Sequence, residues 1–471
     1  MTSKQINSSR SQWGFSLQPR QAWAAILGLV LFSALCVLAH AGSILRITYP
    51  LLSFGVGVFL YQRYPILYVG FTWWMWFLTP LVTRLVDFQS GWDPGRVMMV
   101  SPFLVTMLTL KTLFKNLPRA CSLDGLPFIL SLAGVFYSFM VGLVMNSPAA
   151  AVRSLLDWLV PISFGFHLFI NWQDYPLYQK NIQRTFFWGL LVVGSYGVLQ
   201  YVLAPEWDRF WLISSKMTSS AGKPEPFGFR VWSTMTEPAA CGFLMLTGSL
   251  LLLINKKGFL YIPAAGAGYL CLLLTLVRAV WLGWVVGLFT LISSLKPQIQ
   301  IRLIIAMMLI AICLVPLLAI SPFSESISER FQSFSDLDND TSANDRKNLY
   351  SVLLGIALSE YLGQGLGGTT NGIDSGFLTV LLTLGWLGSI FYMSGIVLLF
   401  LKLFQGYDYK SDSFASAARA ISCGLFMIMP FFCSIVAIYG MFFWGFLGVA
   451  MAAGKYHHSQ RLFRTQARQQ S

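Results

Sequence analysis

Apolar runs long enough to cross a bilayer recur from Ala22 almost to Lys455, with short polar breaks between them. A hydrocarbon core about 30 Å thick needs about 20 apolar residues in a helix, and such a helix satisfies its own backbone hydrogen bonds. The chain is 56% hydrophobic and 11% charged, whereas a soluble domain carries about 25% charged residues. These constraints predict an all-α, polytopic transmembrane helical bundle and exclude a soluble domain at either end. The 471 residues then form a single integral membrane domain.

Runs between charged breaks place spans near 22–41, 44–61, 64–83, 98–114, 126–145, 154–171, 185–204, 238–255, 258–276, 279–295, 303–320, 376–401, 417–434 and 436–453. About 14 spans, an even number, put both termini on one side. That side carries Lys111, Lys115, Arg119, Lys180, Arg184, Lys256, Lys257, Lys296, Arg302, Lys402, Lys410, Arg419 and both chain ends. About 20 of the 32 Lys and Arg fall there, which makes it cytoplasmic. The two longest polar segments, 205–237 and 321–375, are then external loops. Lys4, Arg10 and Arg20 precede a run ending in Ala39-His40-Ala41, which is similar to a signal-peptidase site; the run's length favours an uncleaved first helix.

The net charge of +13 does not imply nucleic acid, because Lys and Arg are scattered between apolar segments instead of massed on one soluble face. Seven cysteines form no C-x-x-C pair, and Cys271, Cys313 and Cys433 sit in apolar runs, so neither a disulfide framework nor a metal site is expected. Gly363, Gly365 and Gly368 spell G-x-G-x-x-G, but a helical pattern stands where the dinucleotide fingerprint needs a strand, so a flexible turn back to the membrane is expected. Asp336, Asp338 and Asp340 alternate as in a calcium loop, yet Thr341 and Lys347 occupy the positions of its Gly and bidentate Glu; an acidic, solvated loop fits better. None of the four histidines lies in an external loop.

Charged groups at membrane depth are costly and usually mark function or a specific pair. Arg278 interrupts an apolar sequence at an outer helix–helix turn. Arg230 and Glu237 flank Val231 to Thr236, and Pro238 suits a first helical residue. Arg346 and Asp374 lie in the second external loop. Arginines gathered at an outer surface suit an anionic headgroup, since guanidinium forks grip phosphate oxygens bidentately and stay charged. Each arginine alone equally suits an interfacial anchor. Arg153 and Asp157, four apart on a helix, suit a structural ion pair.

From about 227 to 401 the sequence resembles the bacterial O-antigen ligases and the related O-antigen and exopolysaccharide polymerases. The resemblance rests on Arg230 followed by Thr236-Glu237-Pro238; on Leu276-Val277-Arg278-Ala279-Val280-Trp281-Leu282; and on Arg330, Ser342 and Arg346 in a long loop. It continues through Gly363-Gln364-Gly365-Leu366-Gly367, Asp374-Ser375-Gly376-Phe377-Leu378 and Leu384-Gly385-Trp386-Leu387-Gly388. It implies a glycosyltransferase of the membrane GT-C type, independent of metal and other cofactors, in the bacterial cytoplasmic (inner) membrane. The substrate would be a glycan carried on undecaprenyl diphosphate, and membrane lipids and other polysaccharide assembly proteins are its implied partners. Arg278 and Arg230 would hold the diphosphate, with Arg346 supporting donor or loop. Asp374-Ser375 stands where the ligases carry His-Asn, which favours the polymerase branch over the ligase branch. Asp374 and Glu237 are the candidate general bases, although Glu237 equally suits a partner for Arg230 or Arg278. Internal repeats and broken helices with polar groups at the midplane, expected of a transporter or flippase, are not legible in this sequence.

Overall fold

The computed structural model describes residues 20–120, 124–254, 259–318, 341–368, 373–405 and 412–469, and among these the regular structure is helical. The first half comprises α1 (Arg20–Leu38), α2 (Gly42–Arg63), α3 (Pro65–Ser90), α4 (Ser101–Met107), α5 (Thr109–Ala120), α6 (Leu126–Met145), α7 (Pro148–Ile170) and α8 (Tyr175–Leu203). Two short helices, α9 (Glu206–Ser214) and α10 (Thr218–Ala221), lead to α11 (Pro238–Ile254), α12 (Tyr261–Leu274), α13 (Arg278–Ser294) and α14 (Pro297–Leu318). After these come α15 (Thr341–Ser359), α16 (Gly376–Phe404), α17 (Ser413–Ile428) and α18 (Ala437–Gln469). Among the described residues nine helical stretches are long and apolar enough to cross a membrane, so the chain is a multi-pass membrane protein.

Several boundaries differ from expectation for one reason: charge was read as the end of a span. Helix α3 runs on past Thr83 to Ser90, carrying Arg84 and Asp87 into the interior. Helix α18 continues well beyond 453 as a basic, exposed extension. The segment 205–237 is not a plain loop, since α9 and α10 lie in it, and α15 occupies part of 321–375. Asp336, Asp338 and Asp340 lie outside the described residues, as does Arg330. The shorter apolar helices α11 and α17 sit in the core, and α11 is buried along nearly its whole length. A helix surrounded by protein is not obliged to match the bilayer thickness.

Small residues let the central backbones touch. A methyl group on Gly448 of α18 would collide with the backbone of Gly165 of α7, and one on Gly424 of α17 with the backbone of Gly283 of α13.

Helix α16 is broken at Gly385 (φ 64°, ψ −173°), and the chain after α15 folds into that break. Gln364 N–H donates to Leu382 O (2.8 Å), Gly365 N–H to Thr383 O (3.1 Å) and Trp386 N–H to Tyr361 O (3.0 Å). Leu366 N–H reaches Ser138 O of α6 (3.0 Å), and Ser138 Oγ donates to Thr383 O (2.8 Å). Gly385 stands nine residues inside α16, so the turn descends about 13 Å along that helix at 1.5 Å per residue. The glycine segment is therefore a packed re-entrant turn, not the flexible connection expected. Gly365 (φ 72°) has no room for a side chain against the backbone of Gly142.

Two faces follow from which helix ends meet. At the C-terminal face Lys455 Nζ lies 3.1 Å from Asp124 Oδ2, and His457 Nε2 lies 2.8 Å from Asp412 Oδ2. At the opposite face, here the loop face, α9, α10 and the turns before α11, α13, α16 and α18 come together.

Candidate functional site

The base of the loop face is a buried polar network. Arg84 is fully buried; its Nη1 lies 2.9 Å from Asp208 Oδ1 of α9, and its Nη2 donates to Ser233 O at 2.5 Å. Asp208 Oδ2 also accepts from Tyr196 Oη and Gln200 Nε2, both at 2.9 Å. Gln200 Oε1 takes the N–H groups of Trp232 (3.1 Å) and Ser233 (2.8 Å), while Thr234 Oγ1 donates to Phe77 O (2.7 Å). Ser233 is held at φ 54°, in the left-handed region that a non-glycine residue seldom adopts. The irregular stretch from Phe229 to Glu237 is thus bolted to α3, α8 and α9 before it enters α11.

Arg230 sits on this stretch and ties it to the turn before α13. Its Nη1 donates to Ser220 O (2.7 Å) and its Nη2 to Leu276 O (3.2 Å), while Val231 N–H donates to Leu274 O (3.0 Å). Arg278 follows two residues after Leu276 as the first residue of α13 and is half-buried. An arginine in a first turn opposes the helix macrodipole, whose positive end favours an anion. The helix end favours an anion beside it.

Glu237 closes the same stretch and is half-buried. Tyr439 Oη, from the start of α18, donates to its Oε1 at 2.5 Å. Burial raises the pKa of Glu237; the Tyr439 bond and the charge of Arg96 pull it down, and the negative charge of Asp374 pushes it up, with a net rise. The charge of Asp374 thus reaches Glu237. Asp374 precedes α16, and the cap of that helix is Ser375, whose Oγ accepts from Leu378 N–H (3.5 Å). Gly376 N–H donates to Met429 O (2.8 Å), which docks this corner on the turn after α17.

Arg96 is the residue that the sequence reading missed. It follows Trp92-Asp93-Pro94-Gly95, a tight turn in which the Asp93 carboxylate accepts from Gly95 N–H and Val97 N–H, each at 2.9 Å. Its guanidinium lies 5.6 Å from the Trp92 ring centroid and 5.7 Å from that of Trp211, a cation–π clamp that fixes a long side chain. A Pro-Gly turn ending in an arginine beside a tryptophan was the available signal.

Arg346 lies on α15, and its side chain is outside the described residues. Arg153 and Asp157 feel each other's charge along α7. His40 is exposed in the turn between α1 and α2, and His167 is buried within α7, with Nδ1 2.8 Å from Thr112 Oγ1. Among the described residues no group of three His, Cys, Asp or Glu side chains converges as a metal site. No known family's profile and no curated protein sequence matches this chain.

Breaking a buried ion pair by removing one partner costs about 3–5 kcal/mol, because the other charge is stranded. Arg84→Ala is expected to lower the thermal midpoint of the purified protein by many degrees, and adding Asp208→Ala to recover part of the loss. A single variant as stable as wild type in a melting scan would show that Arg84 is not the anchor of this face.

Proposed function

We propose that this chain is a membrane glycosyltransferase that polymerises or transfers undecaprenyl-diphosphate-linked glycans at the outer face of the bacterial cytoplasmic membrane. The observation that carries this reading is charge gathered at the loop-face helix starts: Arg278 at the start of α13, and Glu237 before α11, on which the charges of Arg96 and Asp374 both act. The topology in this proposal has 14 spans, both termini cytoplasmic and the loop face external.

The reaction forms a bond from an acceptor hydroxyl oxygen to the anomeric carbon and breaks the bond from that carbon to the diphosphate oxygen. Negative charge grows on the leaving diphosphate, where Arg278 and Arg96 stabilise it, each such donor contributing a few kcal/mol. Arg230 has two of its five N–H groups on backbone carbonyls, so its role here is to position the Arg278 turn. The hydroxyl proton passes to a carboxylate. Glu237 suits this, since its raised pKa makes it more basic than an ordinary carboxylate and Tyr439 fixes its orientation. Asp374 raises the basicity of Glu237 by its charge and is the second base to test. Arg346 remains a candidate for supporting the donor or the loop. No metal or other cofactor enters this scheme.

Polymerase is favoured over ligase because Asp374-Ser375 replaces the ligases' His-Asn. A transporter or flippase is the second reading, favoured by the break in α16 at Gly385, a feature common around transport sites. Proteoliposomes supplied with a purified lipid-linked oligosaccharide separate the two: new glycosidic bonds support transfer, whereas movement of intact donor between leaflets without new bonds supports transport.

In the transfer assay Arg278→Lys, which keeps charge and loses the fork, is expected to fall at least tenfold at unchanged protein level; normal turnover would reduce Arg278 to an anchor. Glu237→Gln is expected to lose about 10²-fold or more. A base must be deprotonated, so wild-type rate should climb with pH through a limb above the ordinary carboxylate range, as the raised pKa of Glu237 requires. Retention of that limb in Glu237→Gln would move the assignment to Asp374.

Orientation has its own test. In spheroplasts, a cysteine at Lys223, whose side chain is largely exposed on the loop face, should react with an impermeant maleimide, and one at Arg461 only after lysis. The reverse pattern would invert the protein in the membrane and remove the outer-face mechanism.

A further inference from the structure

The re-entrant turn forms a cavity of about 550 Å³, lined chiefly by Asn146, Glu360, Tyr361, Leu362, Gly363 and Gln364. That volume lies within the range of small-ligand pockets, about 300–1,000 Å³. Its wall is rigid for reasons already visible in the backbone: the turn is paired with α16 on one side, and Asn146 Nδ2 donates to Gln364 O (2.8 Å) and Leu366 O (3.3 Å) on the other. Gly363 has φ 75° and packs against the backbone of Gly385, so the turn does not slide along α16.

Among the described residues the lining is neutral apart from Glu360, a carboxylate. A carboxylate disfavours phosphate, in contrast to the arginines before α11 and at the start of α13. Side-chain amides and a carboxylate suit a ligand with many hydroxyls. Tyr361, 72% exposed, offers an aromatic face to the C–H side of a pyranose ring. Leu362 and Met145 add an apolar edge. Polar groups together with an aromatic ring match the mixed polar and C–H surface of a sugar.

We infer that this cavity is a saccharide-binding subsite for a short neutral oligosaccharide, distinct from the diphosphate-binding cluster. Its biological role rests on the glycan-transfer reading: it holds sugar units of the acceptor glycan while the charged cluster holds the lipid-linked donor.

The test is saturation-transfer NMR on the full-length protein in phospholipid nanodiscs, with maltotriose, N,N′-diacetylchitobiose and α-mannobiose as probes. At least one probe should show saturation, reduced fivefold or more by Tyr361→Ala and by Glu360→Gln, and unchanged by Arg278→Lys. Glu360 and Tyr361 have exposed side chains, so both variants should fold, and a melting scan checks this. Absence of saturation from all three probes, saturation indifferent to both cavity variants, or loss of it in Arg278→Lys would each overturn the subsite. So would a phospholipid acyl chain cross-linked to a photoreactive residue at Leu362. Sugar binding in a protein that forms no glycosidic bond would leave the subsite standing and reject the transferase reading; transfer without sugar binding would do the converse.

Discussion

A guanidinium sealed from water must be neutralised within the protein, and the Arg84–Asp208 pair does this at the junction of α3, α8 and α9. Its consequences spread because both partners have further valences to satisfy. Asp208 recruits Tyr196 and Gln200, and Gln200 in turn takes two consecutive backbone N–H groups at Trp232 and Ser233. Arg84 takes the Ser233 carbonyl. A stretch with no helix or sheet of its own thereby has its backbone groups met in the interior, where an unmet group costs about 1–3 kcal/mol. The placement of Arg230 and Glu237 follows from this anchorage, and the placement of Arg278 follows from the contact of Arg230 with Leu276.

The same accounting governs the other irregular backbone. Breaking α16 at Gly385 releases hydrogen-bonding groups within an apolar helix, where the surrounding side chains offer none in return. The carbonyls of Leu382 and Thr383 and the N–H of Trp386 are met by Gln364, Gly365 and Tyr361. The break and the re-entrant turn are therefore mutually necessary, and the positive φ values at Gly363, Gly365 and Gly385 are what let two backbones approach this closely. A glycine-rich run before a span reads as slack in the sequence because its partner lies about 20 residues further on, inside what seems a continuous apolar helix.

Apolar periodicity made the helices legible, and Pro238 and Arg278 begin α11 and α13 where their sequence context indicates. What failed was the assumption that charge ends a span. Arg84 and Asp87 lie inside α3 because each has a partner remote in sequence: Asp208 for the first, and Arg46, 2.8 Å away, for the second. The site was half visible. Arg278, Glu237 and Asp374 stand out as isolated charges at the ends of apolar runs, and a single chain pattern carries that. Tyr439 and Arg96 do not stand out, since a tyrosine in an apolar helix and an arginine in a polar turn are ordinary until the fold brings them to Glu237.

That meeting also sets the electrostatics around Glu237. Glu237 is held by a neutral donor, Tyr439, while the charge of Arg96 reaches it alongside the opposing charge of Asp374. Arg96 is positioned by two indole rings, which orient a guanidinium without quenching its charge. Arg278 is placed by its helix start and by the backbone contact that Arg230 makes. Neutral partners thus orient Glu237 and Arg96, and a carboxylate with a raised pKa beside the charge of Arg96 is the arrangement that the proposed transfer from a lipid diphosphate calls for.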